Sequence, residues 1–247
     1  MMITLNSKAV VMAVCLLSVV FCRAAERSKL VTQLDAGKRQ VVVVYGTSLT
    51  AAGAWVKQMK DVMDKRYPGL VTVINSGGSG MWSEWGVRNL DKRVIGKNPD
   101  TVFIEFSIND SVERFKGSPD IAKTNLVTMI DRIRKAKPEC EIILMTMTPG
   151  NKHPKGHRSY RKDVAAHYAM YRAVAKQKRL CLIDHYPHWI TLQRTDPKLF
   201  DKYVPDSIHV TAEGCAQMVT PVILDALGIE AAGQSSPDGV LKAAPGE

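Results

Sequence analysis

The chain has 247 residues, 45% of them hydrophobic and 23% charged, with 34 Lys and Arg against 24 Asp and Glu and a net charge of +10. That length and apolar content suit one α/β domain with an ample core, and five scattered cysteines exclude a small disulfide-stapled scaffold. The basic excess favours polyanions, but no helix-turn-helix, zinc-finger or RNA-recognition signature accompanies it, so nucleic acid is not an expected partner.

Taken in chain order, residues 1–24 read as a signal peptide. Lys8 precedes an apolar run from Ala9 to Phe21, and Cys22-Arg23-Ala24 presents small residues at the −3 and −1 positions of a cleavage site. The run is too short for a spanning helix of ~20 residues, so no stable membrane anchor is expected. A lipoprotein signal ending at Cys22 is the alternative, disfavoured by the bulky Val20 and Phe21. The mature protein is therefore expected to be exported, to the periplasm or the medium. Residues 25–38 form a polar lead-in.

Val41 to Val44 read as a strand buried on both faces. Gly46 breaks the run. From Ala52 the apolar residues Ala52, Trp55, Val56, Met59 and Met63 recur at helical spacing up to Arg66, before Tyr67-Pro68-Gly69. Ser48 thus sits on a strand-to-helix connection at the carboxyl edge of a central strand, where open α/β sheets bind ligands and a helix amino terminus offers free N–H groups. By itself Ser48 also reads as a simple N-cap.

Leu70 to Asn75 form a second strand, leaving into Ser76-Gly77-Gly78-Ser79-Gly80, and Val87, Leu90 and Val94 mark a helix face. A third strand, Thr101 to Phe106, leaves into Ser107-Ile108-Asn109-Asp110, and Ala122 to Ile133 carry a long helical stripe. A fourth strand, Ile142 to Met147, ends at Thr148-Pro149-Gly150. The loop after it gathers Lys152, Lys155, Arg158, Arg161 and Lys162, a solvated basic loop or a surface for an anionic polysaccharide. Val164, Tyr168, Tyr171 and Ala175 mark a helix, and Leu180 to Asp184 a fifth strand. An irregular stretch from His185 to Pro205 leads to a last helix capped by Thr211, kinked at Pro221 and ended by Gly228. The tail, 230–247, is expected to be disordered.

Five strands alternating with helices predict a single doubly wound, flavodoxin-like parallel five-stranded sheet over residues 39–229. In that family of sheets the strand order is 2-1-3-4-5, with Ser48 at the switch point. Cys140 and Cys181 lie at the starts of predicted strands and could be bridged if those strands are neighbours; the favoured alternative, with Cys215, is three buried thiols. His185 and His188 form an H-x-x-H pair without a third ligand, so no metal is expected. Asp184-His185 is a rival acid–histidine pair, and Glu105, in a buried strand, needs a partner.

Four blocks in order resemble the SGNH (GDSL-type) hydrolases: Tyr45-Gly46-Thr47-Ser48-Leu49, Asn75-Ser76-Gly77-Gly78-Ser79-Gly80, Ser107-Ile108-Asn109-Asp110 and Asp206-Ser207-Ile208-His209. The resemblance implies a catalytic set of Ser48, Asp206 and His209, an oxyanion hole of Ser48, Gly80 and Asn109, and no metal or organic cofactor. Gly78 is the alternative glycine. The chemistry suits these residue types: a serine hydroxyl needs a base, the base needs an acid on its far ring nitrogen, and the oxyanion needs preorganised donors. Thr47 and Ser107 depart from the family's aspartate and glycine without removing a required group. The resemblance implies an ester hydrolase acting through an acyl-enzyme, which the signal-peptide reading places outside the cytoplasm. Trp82 and Trp85, beside the oxyanion loop, suit acetyl groups on carbohydrate, with Trp82 the candidate substrate contact and Trp85 equally a packing residue. Alternatives are a lysophospholipase or thioesterase of the same fold, which needs an apolar acyl channel, and a catalytically silent carbohydrate-binding relative.

Overall fold

The structure, a computed structural model, describes residues 27–229. The expected signal peptide and C-terminal tail lie outside them. A helix, α1 (Lys29–Asp35), precedes the sheet strands β1 (Gln40–Gly46), β2 (Val71–Asn75), β3 (Thr101–Glu105), β4 (Glu141–Thr146) and β5 (Cys181–Asp184). All five pair in parallel, in the order β2-β1-β3-β4-β5. This is the doubly wound α/β sheet expected from the alternation of strands and helices.

The four valines explain why β1 is central. Val42 and Val44 pack on one side of the sheet with Trp55, Met59 and Ile223, and Val43 with Tyr45 packs on the other with Leu90, Met129 and Tyr171. Residues 42–45 are completely buried, a strand covered on both faces. Each such side chain contributes about 1.5–3 kcal/mol relative to exposure.

After β1 the chain makes a single turn, α2 (Ser48–Ala51), before the helix α3 (Ala54–Arg66) takes up the predicted stripe. Between β2 and β3 lies α4 (Ser83–Arg93), and β3 leaves into another single turn, α5 (Ser107–Asp110). Then follow α6 (Pro119–Ala136) and, after β4 and the basic loop, α7 (Val164–Lys178). The apolar residues predicted to face inward on α3, α6 and α7 are buried, among them Met59, Leu126 and Tyr171.

Three readings need correction. The polar lead-in contains α1, whose Leu30, Val31 and Leu34 enter the core and whose first N–H groups, on Lys29 and Leu30, donate to the Glu141 carboxylate at 3.0 and 2.9 Å. The stretch 185–205 is not irregular. It holds α8 (Tyr186–Thr195) and α9 (Pro197–Tyr203), which bury Trp189, Phe200 and Tyr203. Cys140 and Cys181 are not bridged: the β4–β5 register sets Cys181 against Ile143, three residues beyond Cys140, roughly 10 Å along a strand.

The last helix starts where expected, with the Thr211 hydroxyl accepting the Gly214 N–H at 3.1 Å over α10 (Ala212–Gly214). A π-turn, Cys215–Val219, precedes α11 (Thr220–Leu227). Pro221, lacking an N–H, interrupts the regular ladder there.

Candidate active site

Every candidate residue lies at or beyond the carboxyl end of a strand. Ser48 follows β1, Gly80 β2, Asn109 β3, and Asp206 and His209 come from the turn after α9. Because β1 pairs with both β2 and β3, the first three loops are neighbours by topology.

Thr47 is the N-cap of α2, its hydroxyl accepting the Leu49 N–H at 3.1 Å. Ser48 occupies the first helical position, whose N–H has no partner within the helix. The other end of this turn is capped by side chains. The Trp55 indole N–H donates to Leu49 O at 2.7 Å and the Asn75 amide to Thr50 O at 2.9 Å.

The turn that carries Asp206 and His209 is wound around the carboxylate. Asp206 Oδ1 accepts the N–H groups of Ile208 and His209 at 3.0 and 2.7 Å, and Ser207 adopts a left-handed φ of 61° between them. The Thr148 hydroxyl donates to Ile208 O at 2.8 Å, and the Tyr168 hydroxyl donates to Thr148 O at 2.9 Å. So α7 and the end of β4 hold the turn in place.

Within this turn His209 Nδ1 lies 2.7 Å from Asp206 Oδ2, and on the other side of the ring His209 Nε2 lies 2.8 Å from Ser48 Oγ. The tautomer with the proton on Nδ1 satisfies both contacts: Nδ1–H donates to Asp206 and the serine O–H donates to Nε2. Burial raises the Asp206 carboxyl, but the hydrogen bonds from the His209 ring, His209 N–H and Ile208 N–H outweigh it and leave the acid below its ordinary range. An ionised acid on the far nitrogen stabilises a protonated imidazole.

In the loop after β2, the Gly78 N–H donates to Gly46 O at 2.8 Å, whereas the Gly80 N–H has no partner among the described residues. Of the two glycines, only Gly80 has a free donor. Its φ of 72° is one that L side chains rarely adopt. The Asn109 amide donates to Met81 O at 2.8 Å, tying β3's loop to the Gly80 loop and leaving one N–H of the amide free. Next to it, Asp110 is buried and accepts the Ser83 N–H at 2.8 Å; burial pushes its carboxyl up to about 7 against the Ser83 hydrogen bonds.

Two contacts were not foreseen. Arg161, read only as part of a basic loop, turns inward and donates from Nη2 to Asn109 Oδ1 at 3.4 Å. Glu105 finds its partners in Thr47 and Thr50, on either side of Ser48 in the turn that carries it. No local pattern signals Arg161; an acid in a fully buried strand does signal a polar partner for Glu105.

Trp82 is half-buried, stacked on Phe115 with ring centroids 5.0 Å apart, and the Arg114 guanidinium lies 4.7 Å above the Phe115 ring. Trp85 packs against Tyr45 and Phe106 and under Arg93, a packing residue. In the basic loop Lys152 pairs with Asp201 at 2.6 Å and Lys155 with Glu113 at 3.6 Å, so acids from other segments partly neutralise it. The rival pair does not form. Asp184 is held by Arg172 at 2.6 Å and by the Thr146 hydroxyl at 2.5 Å, and the His185 ring is buried with neither nitrogen hydrogen-bonded. His188, the other member of the H-x-x-H pair, is exposed.

With that geometry in hand, comparison with known proteins gives consistent results. A model of the GDSL-like lipase/acylhydrolase family matches residues 43–217. The uncharacterized lipoprotein YqeF of Bacillus subtilis is 28% identical over 214 residues, covering 70% of this chain and 84% of its own. Among solved structures, a putative GDSL-like lipase from Parabacteroides merdae superposes with a TM-score of 0.69 at 15% identity, covering 78% of this chain and 97% of its own. The acetylxylan esterase Axe2 of Geobacillus stearothermophilus does so with a TM-score of 0.67 at 18% identity, covering 78% and 96%. At such identities the likeness concerns the fold. Structures of Axe2 include catalytic mutants in which a serine, an aspartate or a histidine is replaced by alanine, the last two being three positions apart.

Proposed function

The chain belongs to the GDSL-like lipase/acylhydrolase family, and from that premise we propose that it is an exported serine esterase that removes small acyl groups, acetyl above all, from carbohydrate. The observation that carries the reading is the unbroken hydrogen-bond path from Asp206 Oδ2 through the His209 ring to Ser48 Oγ, with contacts of 2.7 and 2.8 Å. An aspartate three positions before a histidine is also the spacing of the two residues replaced in the Axe2 catalytic mutants.

In this mechanism Ser48 Oγ attacks the acyl carbon as its proton passes to His209 Nε2. Asp206 holds the ring and stabilises the imidazolium. The negative charge that develops on the carbonyl oxygen meets the N–H groups of Ser48 and Gly80 and the remaining N–H of Asn109. His209 returns the proton to the departing sugar oxygen as the C–O bond breaks, leaving Ser48 acylated. Water, giving its proton to His209, then attacks the acyl-enzyme; a carboxylic acid leaves and Ser48 regains its proton. Every step is carried by side chains and backbone of this chain.

The substrate class rests on the Trp82–Phe115 stack beside the Gly80 loop, an aromatic surface of the kind sugar rings lie on. Export through residues 1–24 puts an extracytoplasmic polymer within reach, and the loop from Lys152 to Lys162 offers positive charge to uronic acids in it.

The test is hydrolysis of p-nitrophenyl acetate, butyrate and octanoate, beside acetate release from acetylated xylan and pectin, by the mature protein and by Ser48→Ala. The expected result is activity confined to the short esters and lowered by at least about 10⁴-fold in Ser48→Ala. A preference for octanoate would move the substrate to lipids. Activity that survives in Ser48→Ala, or a wild type inert on every ester, would overturn the catalytic assignment.

A further inference from the structure

The nucleophile turn has to be held by something, because four residues of helix are far below the length that is stable on its own. Its two ends converge on one side chain. Glu105 closes β3 and lies beside Gly46 in the β1–β3 register. From there its carboxylate reaches across to the end of β1. Oε1 accepts the Thr47 N–H at 2.7 Å, the Thr50 hydroxyl at 2.7 Å and the Thr47 hydroxyl at 3.0 Å; Oε2 lies 3.1 Å from the same Thr47 hydroxyl. Thr47 and Thr50 bracket Ser48 and Leu49, and the Thr47 hydroxyl passes the constraint on by accepting the Leu49 N–H. The carboxylate needs the space left by Gly46: a Cβ at that position would sit 2.3 Å from Oε1.

We propose that Glu105 is the positioning residue of the nucleophile turn, its buried carboxylate clamping Thr47 and Thr50 so that Ser48 stays aligned with His209. The inference rests on Ser48 being the nucleophile. Stability alone argues against an acid here. Glu105 ends a strand buried at every position, and the charged or titratable groups facing it are Asp110 on α5 and Tyr168 and Tyr171 on α7, with no cation paired to it among the described residues. Burial pushes the carboxyl up to about 7 in spite of the hydrogen bonds from Thr50 and Thr47 that lower it. An apolar residue would avoid that desolvation cost, and an acid retained in such a place marks a position kept for what it holds. Thr47, which departs from the aspartate of the resembling family, is then explained: the acid that braces the turn comes from the neighbouring strand.

The experiment compares wild type, Glu105→Gln, Glu105→Ala and the double variant Thr47→Val/Thr50→Val. The readouts are the rate of labelling by a fluorophosphonate probe, kcat and KM on p-nitrophenyl acetate, and thermal unfolding. Misplacing a nucleophile by about 1 Å costs on the order of 10²-fold. Glu105→Ala is therefore expected to slow both labelling and kcat by roughly 100-fold with KM nearly unchanged. Glu105→Gln is expected to recover most of the loss, because its carbonyl oxygen still accepts from the Thr47 N–H and the Thr50 hydroxyl. The double variant keeps the acid and removes both hydroxyls, so it tests the clamp even if Glu105→Ala does not fold; it should lose at least about tenfold in kcat. Wild-type labelling rates in the folded variants, or a loss expressed only in KM, would overturn the inference. A wild type that does not label at all would instead overturn Ser48 as nucleophile.

Discussion

One carboxamide in the site is pinned from both ends. Asn109 Oδ1 faces the Arg161 guanidinium and its Nδ2 faces the Met81 carbonyl, which together select a single orientation of the amide. Arg161 donates its other contacts to the carbonyls of Arg158 and Tyr160, its Nε is buried without a partner, and burial lowers the guanidinium to about 10. A cation in that position orients the Asn109 amide. Asn109→Ala is expected to lower kcat about 10²–10³-fold with little change in KM. Arg161→Met is expected to lower it by roughly tenfold, and the double variant to be no worse than Asn109→Ala, as for residues that act as a unit. Steady-state kinetics of the four proteins decides it; fully additive losses would show that Arg161 acts elsewhere. The motif around Asn109 was legible in the sequence. Arg161, 52 positions away in a charged loop, was not, because a guanidinium among other cations carries no local mark of facing inward.

Among the helices, a long apolar period is what makes an element legible in the sequence. The stripes of α3, α6 and α7 repeat over three or more turns, enough to specify a buried face. The single turns α2 and α5 are too short to show a period, and both carry candidate site residues. Pro187 and Pro197 lie in the stretch expected to be irregular, yet each stands in the first turn of a helix, where proline favours a start, and the Asp196 side chain caps α9 by accepting the Leu199 N–H at 3.0 Å. Although read as a lead-in, α1 is structurally part of the domain. Leu30 is completely buried, so Leu30→Ala is expected to destabilise the protein by about 2–5 kcal/mol in urea unfolding. A loss under about 1 kcal/mol would show that α1 is peripheral to the core.

For the molecule as a whole, buried titratable groups link stability to pH in opposing directions. The native His185 ring is held neutral, burial pushing it down to about 3 with a further lowering from His188. The unfolded chain takes up that proton near 6.5, so the ring's share of stability falls as pH drops below that value. Glu105 and Asp110, both raised to about 7, act oppositely: the native state holds their protons more tightly, and their share of stability falls as pH rises through that range. Replacing His185 isolates its part. From about pH 7 to about pH 5, His185→Leu should gain about 2 kcal/mol on wild type, measured by denaturant unfolding at each pH. A constant difference would show that the native ring takes up its proton as readily as the unfolded one. The sequence by itself determined the α/β class, the five strands and the loops that carry Ser48, Gly80, Asn109, Asp206 and His209, because side-chain period and chain order are local properties. Only the tertiary structure decided the strand order, the 2.8 Å approach of His209 to Ser48 across 161 positions, and the contacts of Glu105 with Thr47 and of Arg161 with Asn109. The physical reason is that an apolar pattern states which faces must be buried but leaves open which neighbour buries them. Several strand orders satisfy the same right-handed crossovers, and packing chooses among them.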